Sequence, residues 1–322
     1  MESAALYANL FSPPVLAFGA GVIAVFARSD LKIPEQVYQG LAIYLLLAIG
    51  FKGGASLAET KFATVAPVAI AAILLGSLLS AAAFYISKYL IFKSVSNAAA
   101  IAAHYGSVSA VTFMTCLAFL ESRNVPFESF LPAVMALMEI PAIVIAIMLA
   151  KLHGGTSSGN LSPALREAFT GKSVYLLVAG LVIGAAAGPL GAEKAAPFLI
   201  QPFYGVLIIF LLEMGLVAGK SLKSFTDLKG KLIAFAIIAP LVQGIIGVYI
   251  AKYLGLSAGG ATLFATLAAS ASYIAAPAAA RIALPDANPA YYVFTSLGIT
   301  FPLNLALGIP IYHMAAKQII GG

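Results

Sequence analysis

The chain has 322 residues, of which 61% are hydrophobic and only 9% are charged, and its mean hydropathy is +1.01. Soluble domains carry about 25% charged residues, so this composition argues against soluble enzymes and disordered chains. The net charge of +6 comes from basic residues scattered between apolar runs, which argues against a nucleic-acid partner. The single cysteine, Cys116, excludes a disulfide framework and a cysteine-rich metal site.

Apolar runs recur along nearly the whole chain at the length of about 20 residues that a helix needs to cross the hydrocarbon core. The runs are continuous rather than alternating, which predicts an all-α membrane protein. The first run is expected to stay in the mature protein, because the residues before it lack a basic segment and a cleavage site. Ten spans are predicted, at residues 13–27, 35–58, 63–91, 97–121, 127–151, 173–190, 196–222, 230–255, 258–281 and 289–316.

The placement of basic residues predicts the orientation of these spans. Twelve of the eighteen lysines and arginines lie at the odd-numbered connections, which the positive-inside rule assigns to the cytoplasm. The protein is expected in the cell inner membrane, with both termini on the outer side, opposite the cytoplasm. The longest connection, residues 152–172, is a polar Gly/Ser linker that is expected on the cytoplasmic side. It separates a first five-helix repeat, residues 1–151, from a second one, residues 173–322.

The two halves resemble each other in sequence. Residues 85–90 and 249–254 share five identities in six, at a separation of 164. Seven further positions repeat at a separation of 165, and they are Gly40, Leu46, Leu47, Gly50, Gly54, Ser56 and Leu57 with Gly205, Leu211, Leu212, Gly215, Gly219, Ser221 and Leu222. Because each repeat holds an odd number of spans, the second is expected to enter from the opposite face, as in many secondary transporters.

Paired serines predict a break in the fourth and ninth spans. Ser107 and Ser109 correspond to Ser270 and Ser272, and residues two apart share a face only in extended backbone. Gly106 permits such a break, and the N-termini of the resulting half-helices suit an anion. The alternative is that these small residues only let helices pack closely. The predicted anion-binding residues are Gly106, Ser107, Ser109, Ser270, Ser272 and Tyr273.

A cation site is predicted beside these breaks. Glu139 and Thr300 precede Pro141 and Pro302, which correspond in the repeat, and an ionised Glu at this depth needs a partner. Carboxylate, hydroxyl, amide and free carbonyl oxygens are the ligands that hard cations prefer. The alternative is a protonated, structural Glu. The predicted sodium ligands are Glu139, Thr300, Asn304 and the carbonyl groups of Leu137 and Gly298.

Two further groups have open interpretations. Glu213 lies near the middle of the seventh span, where it is a second cation ligand, a proton carrier or a polar group hydrogen-bonded between helices. His104 lies three residues before Ser107, so a nucleophilic dyad of an intramembrane enzyme is conceivable. A neutral, hydrogen-bonded packing role for His104 is the favoured interpretation.

These motifs together resemble the sodium-dependent bicarbonate transporter family of cyanobacteria and its bacterial relatives. The resemblance covers nearly the whole chain, and the SASYIA segment from residue 270 and the GITFP segment from residue 298 are its most specific parts. The resembling stretches are residues 31–35, 50–54, 106–109, 138–142, 212–215, 269–275, 284–289 and 296–304.

The resemblance implies ten spans in two inverted repeats, divided into a mobile core domain and a gate or scaffold domain. It implies a homotrimer that imports bicarbonate with sodium, and a PII-like regulatory partner on the cytoplasmic side. By position, Ser107, Ser109, Ser270 and Ser272 would bind the anion, and Glu139, Thr300 and Asn304 would lie near sodium.

The sequence therefore predicts a secondary transporter, not an enzyme, that takes up bicarbonate by alternating access. Sodium is the coupling ion, no other cofactor is expected, and membrane lipid surrounds the protein. A symporter of another small carboxylate is the first alternative. A passive anion channel is the second alternative, but such a channel would leave the Glu139 carboxylate without a role.

Overall fold

The computed structural model describes residues 9–154, 162–224 and 230–321, and this part of the chain is helical and contains no strand. The helices are α1 Pro13–Phe26, α2 Glu35–Glu59, α3 Phe62–Ile91, α4 Val95–Gly106, α5 Ala110–Glu121, α6 Leu131–Glu139, α7 Pro141–Leu152, α8 Ser162–Thr170, α9 Lys172–Leu199, α10 Phe203–Ser224, α11 Gly230–Tyr253, α12 Ala258–Ala269, α13 Ala275–Ala283 and α14 Pro289–Gly321.

Seven segments of the described residues are long and apolar enough to cross a membrane. They are α2, α3, α4 with α5, α6 with α7, α10, α11 and α14. An eighth is added if α8 and the first part of α9, which meet at a bend of 42°, count as one span. The helices α1 and α12 are apolar but have 14 and 12 residues, which is below the usual spanning length. The protein is thus a multi-pass, all-helical membrane protein.

Helix boundaries differ from the expected ones around the connection between the repeats. Helix α9 consists of two helical segments that meet at Gly188, where φ is 60° and ψ is −166°, and the second segment ends at Leu199. The break at Gly188 lies close to the predicted end of the sixth span at residue 190, whereas the next helix begins at Phe203 rather than near residue 196. The predicted linker is also not wholly a loop. Its residues 155–161 lie outside the described part, whereas α8 forms within it and buries Ala164 and Ala168 against α13. These alanines are four residues apart and so share one helix face.

Helix α2 packs along α9, and α1 packs along α10, through glycines. A Cβ atom added at Gly180 would overlap the carbonyl group of Leu47, and one added at Gly184 would overlap that of Phe51. The contact moves four residues forward on both helices, from Leu47 to Phe51 and from Gly180 to Gly184, so α2 and α9 run parallel. The pair α1 and α10 is built in the same way, because Gly215 lies against the backbone of Phe18. Small residues allow this close approach of backbones.

We expect Gly215→Ala to destabilise the protein, because the new Cβ atom would meet backbone atoms of α1 that no rotamer change can move. Overpacking of this kind typically costs about 1–3 kcal/mol. The matched control is Gly205→Ala on the same helix, where nothing lies within 4 Å and alanine favours the helix. Thermal unfolding in detergent checks this result, and an equal melting temperature for the two variants would contradict it.

The remaining helices form two similar groups. Helix α3 packs on α4 and α7, and α11 packs on α12 and α14. The carboxylate of Glu128, after α5, accepts hydrogen bonds from the backbone N–H of Ser257, 2.7 Å away, and from its hydroxyl at the start of α12. In the corresponding place, the backbone N–H of Asn288 donates to the side chain of Asn97 at the start of α4. Each group therefore holds the first turn of the other group's interrupted helix.

Glu128→Gln is expected to lower the free energy of unfolding by about 1–2 kcal/mol, because hydrogen bonds to a charged acceptor at a helix N-terminus are among the stronger ones. Glu121→Gln serves as a matched control, since Glu121 makes only an exposed ion pair with Lys52. Such pairs contribute less than about 1 kcal/mol. Melting temperatures of both variants decide the matter, and a larger loss for Glu121→Gln would refute the assignment.

Candidate functional site

The chain leaves helical geometry between α4 and α5. Helix α4 ends at Gly106, and Ser107 has φ −86° and ψ 171°, which is extended backbone. Ser109 is also extended, with φ −108° and ψ 110°, and its hydroxyl oxygen accepts from the N–H of Thr112 as the N-cap of α5. Because the segment is extended and buried, its peptide groups are available to partners other than their own helix.

A second non-helical segment lies between α12 and α13. Helix α12 ends at Ala269, Ser270 is extended with φ −83° and ψ 158°, and α13 begins at Ala275. The hydroxyl oxygen of Ser272 accepts from the N–H of Ala276 at 3.2 Å, so this serine contacts the first turn of α13. Ser109 and Ser272 thus occupy similar positions at the starts of two short helices.

The two non-helical segments meet each other inside the protein. The N–H of Ser109 donates to the hydroxyl oxygen of Ser270 at 2.9 Å, and the N–H of Ser272 donates to the carbonyl oxygen of His104 at 2.9 Å. The hydroxyl group of Ser107 donates to the carbonyl oxygen of Glu139 at 2.9 Å. Two pairs of serines that are about 160 residues apart in sequence are therefore gathered at one place.

A small cavity, which we call the serine cavity, opens where the two non-helical segments meet. It is lined by Ser109, Ser272, Tyr273 and Glu139 on one side and by Leu46 of α2 and Ser173 of α9 on the other, with Val108, Ala110 and Ile274 between them. Its volume is about 10 Å³, which is roughly room for one water molecule. The cavity therefore lies between the helix pair α2–α9 and the two non-helical segments, and no lysine or arginine of the described residues lines it.

Glu139 contributes the carboxylate of this cavity. It ends α6, is 5% exposed, and accepts a hydrogen bond from the hydroxyl group of Ser173 at 3.3 Å. A buried carboxylate is costly unless a cation, a proton or further donors neutralise it. The starts of α5 and α13 offer partial positive charge on the same cavity wall. The carboxylate of Glu139 and the partially positive ends of α5 and α13 therefore lie on the same cavity wall, an arrangement that suits a cation and an anion bound together.

Tyr273 completes the cavity wall. Its ring packs edge-on against Phe301 at 5.2 Å between ring centres. Its hydroxyl group is buried and makes no hydrogen bond of regular geometry within residues 9–154, 162–224 and 230–321. The polar group that approaches this hydroxyl group is the side chain of Ser109, which lines the same cavity, so the two hydroxyl groups could be bridged by a ligand or water.

Thr300 and Asn304 lie behind the non-helical segments and not with Glu139 on the cavity wall. The hydroxyl group of Thr300 donates to the carbonyl oxygen of Ala236 at 2.7 Å and lies 2.8 Å from the hydroxyl group of Tyr105. The amide group of Asn304 donates to the carbonyl oxygen of Ala269 at 2.8 Å. Both side chains thus hold the ends of α4 and α12, where the regular helices stop.

The two predicted carbonyl ligands differ in their surroundings. The side chain of Leu137 is 45% exposed and lies on the outer surface of α6. Gly298 is buried in the π-helical segment Phe294–Thr300 of α14. Pro302, two residues after this segment, has no backbone N–H to donate to the preceding turn, so the regular hydrogen-bond pattern of the helix is interrupted there. Neither residue lines the cavity, and the assignment of their carbonyl groups as sodium ligands stays a prediction.

Glu213 lies on α10, on the side of the molecule that contains α1 and α2. It is 9% exposed, and its Oε2 atom has no hydrogen-bond partner in the described chain. Tyr38 of α2 stacks on Phe210, one turn before Glu213. Glu213 is therefore a second buried carboxylate with an unsatisfied oxygen, and it does not line the serine cavity.

His104 and Ser107 are engaged with other groups. The Nδ1 atom of His104 lies 2.6 Å from the carbonyl oxygen of Ala100, and its ring packs on Tyr292. Ser107 donates to the backbone of Glu139, as described above. The Nε2 atom of His104 is buried without a partner among the described residues, so no hydrogen bond joins His104 to Ser107, and the packing role stays a prediction.

Sequence reasoning missed several residues of this site. Ser173, Tyr105 and Gln243 carry no local motif, yet Ser173 contacts Glu139 and Gln243 donates to the carbonyl oxygen of Tyr105 at 3.4 Å. Their roles arise from contacts between segments more than 30 residues apart. Only the position of Ser173, at the first residue of a predicted span, offered a signal, and a weak one.

Comparison with known proteins identifies the family of the chain. The family model of the Na+-dependent bicarbonate transporter superfamily matches residues 13–317, which is nearly the whole chain. No curated protein sequence matches the chain. Since the family match includes both non-helical segments and Glu139, the chain belongs to the Na+-dependent bicarbonate transporter superfamily.

Proposed function

We propose that the protein imports bicarbonate across the cell inner membrane by coupling it to sodium. The observation that carries this proposal is the cavity where two buried, extended serine segments face a buried carboxylate. Bicarbonate would accept hydrogen bonds from the hydroxyl groups of Ser109 and Ser272, which line the cavity, with Gly106 and Tyr273 beside it. The hydroxyl groups of Ser107 and Ser270 would join them once they release the carbonyl oxygens of Glu139 and Leu267. Sodium bound at Glu139 would offset the negative charges and make joint binding favourable.

Two of the membrane spans in this proposal are interrupted, and each consists of two helices. The ten-span arrangement counts α4 with α5, and α12 with α13, as one interrupted span each, and adds α1 and the α8–α9 pair. The parallel pairing of α2 with α9 and of α1 with α10 supports inverted repeats, because each pair joins a first span to a second span of the other repeat. Irregular backbone inside a membrane is tolerated where it lines a cavity.

Alternating access would follow from movement between two groups of helices. The gate group would contain α1, α2, α9 and α10, and the core group would contain the other helices. The cavity lies between these groups and is too small for bicarbonate in the described conformation. Substrate entry would therefore require that the core group shifts against Leu46 and Ser173 of the gate group.

Thr300 and Asn304 fit this scheme as residues that hold the interrupted helices in place near the sodium site. The carbonyl groups of Leu137 and Gly298 would complete the ligand shell of the sodium ion. Glu213 would serve as a second cation or proton position, which its unsatisfied buried oxygen supports.

The resemblance extends the proposal to the assembly. The protein would form a homotrimer, with both termini outside the cell, and residues 152–172 would face the cytoplasm. A PII-like regulatory protein would bind on that face. Molecular mass in detergent measured by light scattering tests the trimer, and a monomeric mass would refute it.

Uptake of labelled bicarbonate into proteoliposomes tests the transport function. With an inward sodium gradient we expect accumulation, and with potassium in its place we expect none. Flux without sodium would identify a passive anion channel. Stronger competition by unlabelled acetate or pyruvate than by bicarbonate would identify a carboxylate symporter.

A further inference from the structure

A long apolar groove lies between α3 and α11, away from the serine cavity. It has a volume of about 560 Å³ and extends from Lys231 at the start of α11 to Ile246. Its walls are apolar side chains of both helices, among them Leu79 and Leu90 of α3. Gln243 is the other polar residue that lines it, near the end opposite Lys231. The groove therefore has one charged end and an apolar interior.

The position of the groove exposes it to the membrane. Ile86 on α3 and Ile238 and Val242 on α11 line it and are 42%, 57% and 51% exposed. At a rise of 1.5 Å per residue, the distance along α11 from Lys231 to Ile246 is about 22 Å. This is more than half of the hydrocarbon thickness of about 30 Å. A molecule in the groove would thus extend from one membrane interface past the bilayer centre.

The surroundings favour a lipid chain as the occupant, because the groove is open along its apolar length to the hydrocarbon of the bilayer. A single hydrocarbon chain is thin and flexible enough to follow the walls. Lys231 lies where the headgroup of such a lipid would be, and a lysine near the membrane surface favours anionic lipids.

We propose that the groove between α3 and α11 binds a phospholipid from the surrounding bilayer, with an acyl chain along the apolar walls and an anionic headgroup at Lys231. The site goes beyond the proposed transport function. The walls also connect it with the serine segments, because Phe235 of the groove packs against Tyr105 at 4.8 Å between ring centres. Tyr105 precedes Gly106, where α4 ends.

The chain contains no tryptophan, so a single introduced tryptophan reports on its own surroundings. We would place Ile238→Trp in the groove and Leu78→Trp on a lipid-exposed position of α3 outside the groove. Both variants are reconstituted in phosphatidylcholine nanodiscs that contain brominated phosphatidylglycerol or brominated phosphatidylcholine. The measurement is the quenching of tryptophan fluorescence per mole of brominated lipid.

We expect phosphatidylglycerol to quench Ile238→Trp about fivefold more effectively than phosphatidylcholine, the preference that one lysine at an anionic surface provides. Adding Lys231→Gln should abolish this preference, and Lys231→Arg should keep it. At Leu78→Trp the two lipids should quench equally. Equal quenching at Ile238→Trp, or a preference that survives Lys231→Gln, would overturn the proposal. A third result would also contradict the proposal: if both lipids quench Leu78→Trp and neither lipid quenches Ile238→Trp, a protein segment occupies the groove.

Discussion

Replacing Ser109 with alanine is expected to reduce sodium-driven bicarbonate uptake by about tenfold or more, since one hydrogen bond to a charged ligand contributes about 1.5–3 kcal/mol. Ser272→Ala should have a similar effect, because its hydroxyl group lines the same cavity. Initial uptake of labelled bicarbonate into proteoliposomes at equal protein density measures the loss. The expected change is in the apparent affinity for bicarbonate, which separates it from a smaller amount of folded protein.

The matched control for these variants is Ser94→Ala. Ser94 also caps a helix, because its hydroxyl oxygen accepts from the N–H of Asn97 at the start of α4 at 3.3 Å. It is exposed and does not line the cavity. Loss of a helix cap costs about 1 kcal/mol, so all three substitutions test stability. Only the substitutions at Ser109 and Ser272 also test the anion site. Normal uptake by Ser109→Ala, or equal loss in Ser94→Ala, would refute the site.

Glu139→Gln is expected to remove the response of the protein to sodium. The glutamine keeps nearly the same shape and still accepts from Ser173, but it no longer carries the charge that a bound cation needs. Removing one partner of a buried ion pair typically costs about 3–5 kcal/mol, so sodium affinity should fall by about 100-fold or more. The readout is the rise in melting temperature on adding sodium chloride in place of potassium chloride, because a ligand that binds the folded state stabilises it.

Glu121→Gln is the control for the sodium response, since its carboxylate is exposed and lies outside the serine cavity. That variant should keep the full sodium-dependent rise in melting temperature. A normal sodium response in Glu139→Gln would mean that the coupling cation binds elsewhere, and Glu213 would then be the next carboxylate to replace. This measurement needs no transport assay, so it tests the cation site separately from the anion site.

The membrane character and most helices follow from the sequence alone. Hydrophobicity is a local property, and runs such as Glu35–Glu59 and Gly230–Tyr253 are apolar over the whole length that a bilayer requires. The ends of α4 at Gly106 and of α12 at Ala269 also have local causes, because Gly106 and the paired serines favour extended backbone. The two candidate cavity regions could therefore be located before any contact was known.

Boundaries between helices were less predictable. The second segment of α9, which follows the break at Gly188 and ends at Leu199, packs against α2 through Tyr44, whose hydroxyl group donates to the carbonyl oxygen of Phe198, and hydrophobicity does not encode this contact. The helix α8 inside the predicted linker is polar overall and is stabilised by the burial of Ala164 and Ala168. Short helices of this kind depend on tertiary packing, because their own hydrogen bonds are too few for stability in isolation.

Composition and motif spacing are enough to predict that this chain is a multi-pass helical membrane protein with two serine pairs and Glu139 in its apolar interior. Which of these groups meet depends on the three-dimensional packing of the helices. It joined Ser109 to Ser270 and Ser173 to Glu139, and it moved Thr300 and Asn304 to supporting positions behind the ends of α4 and α12. The physical reason is that hydropathy and turn propensity act within one segment, whereas these hydrogen bonds depend on how distant helices pack and turn toward each other.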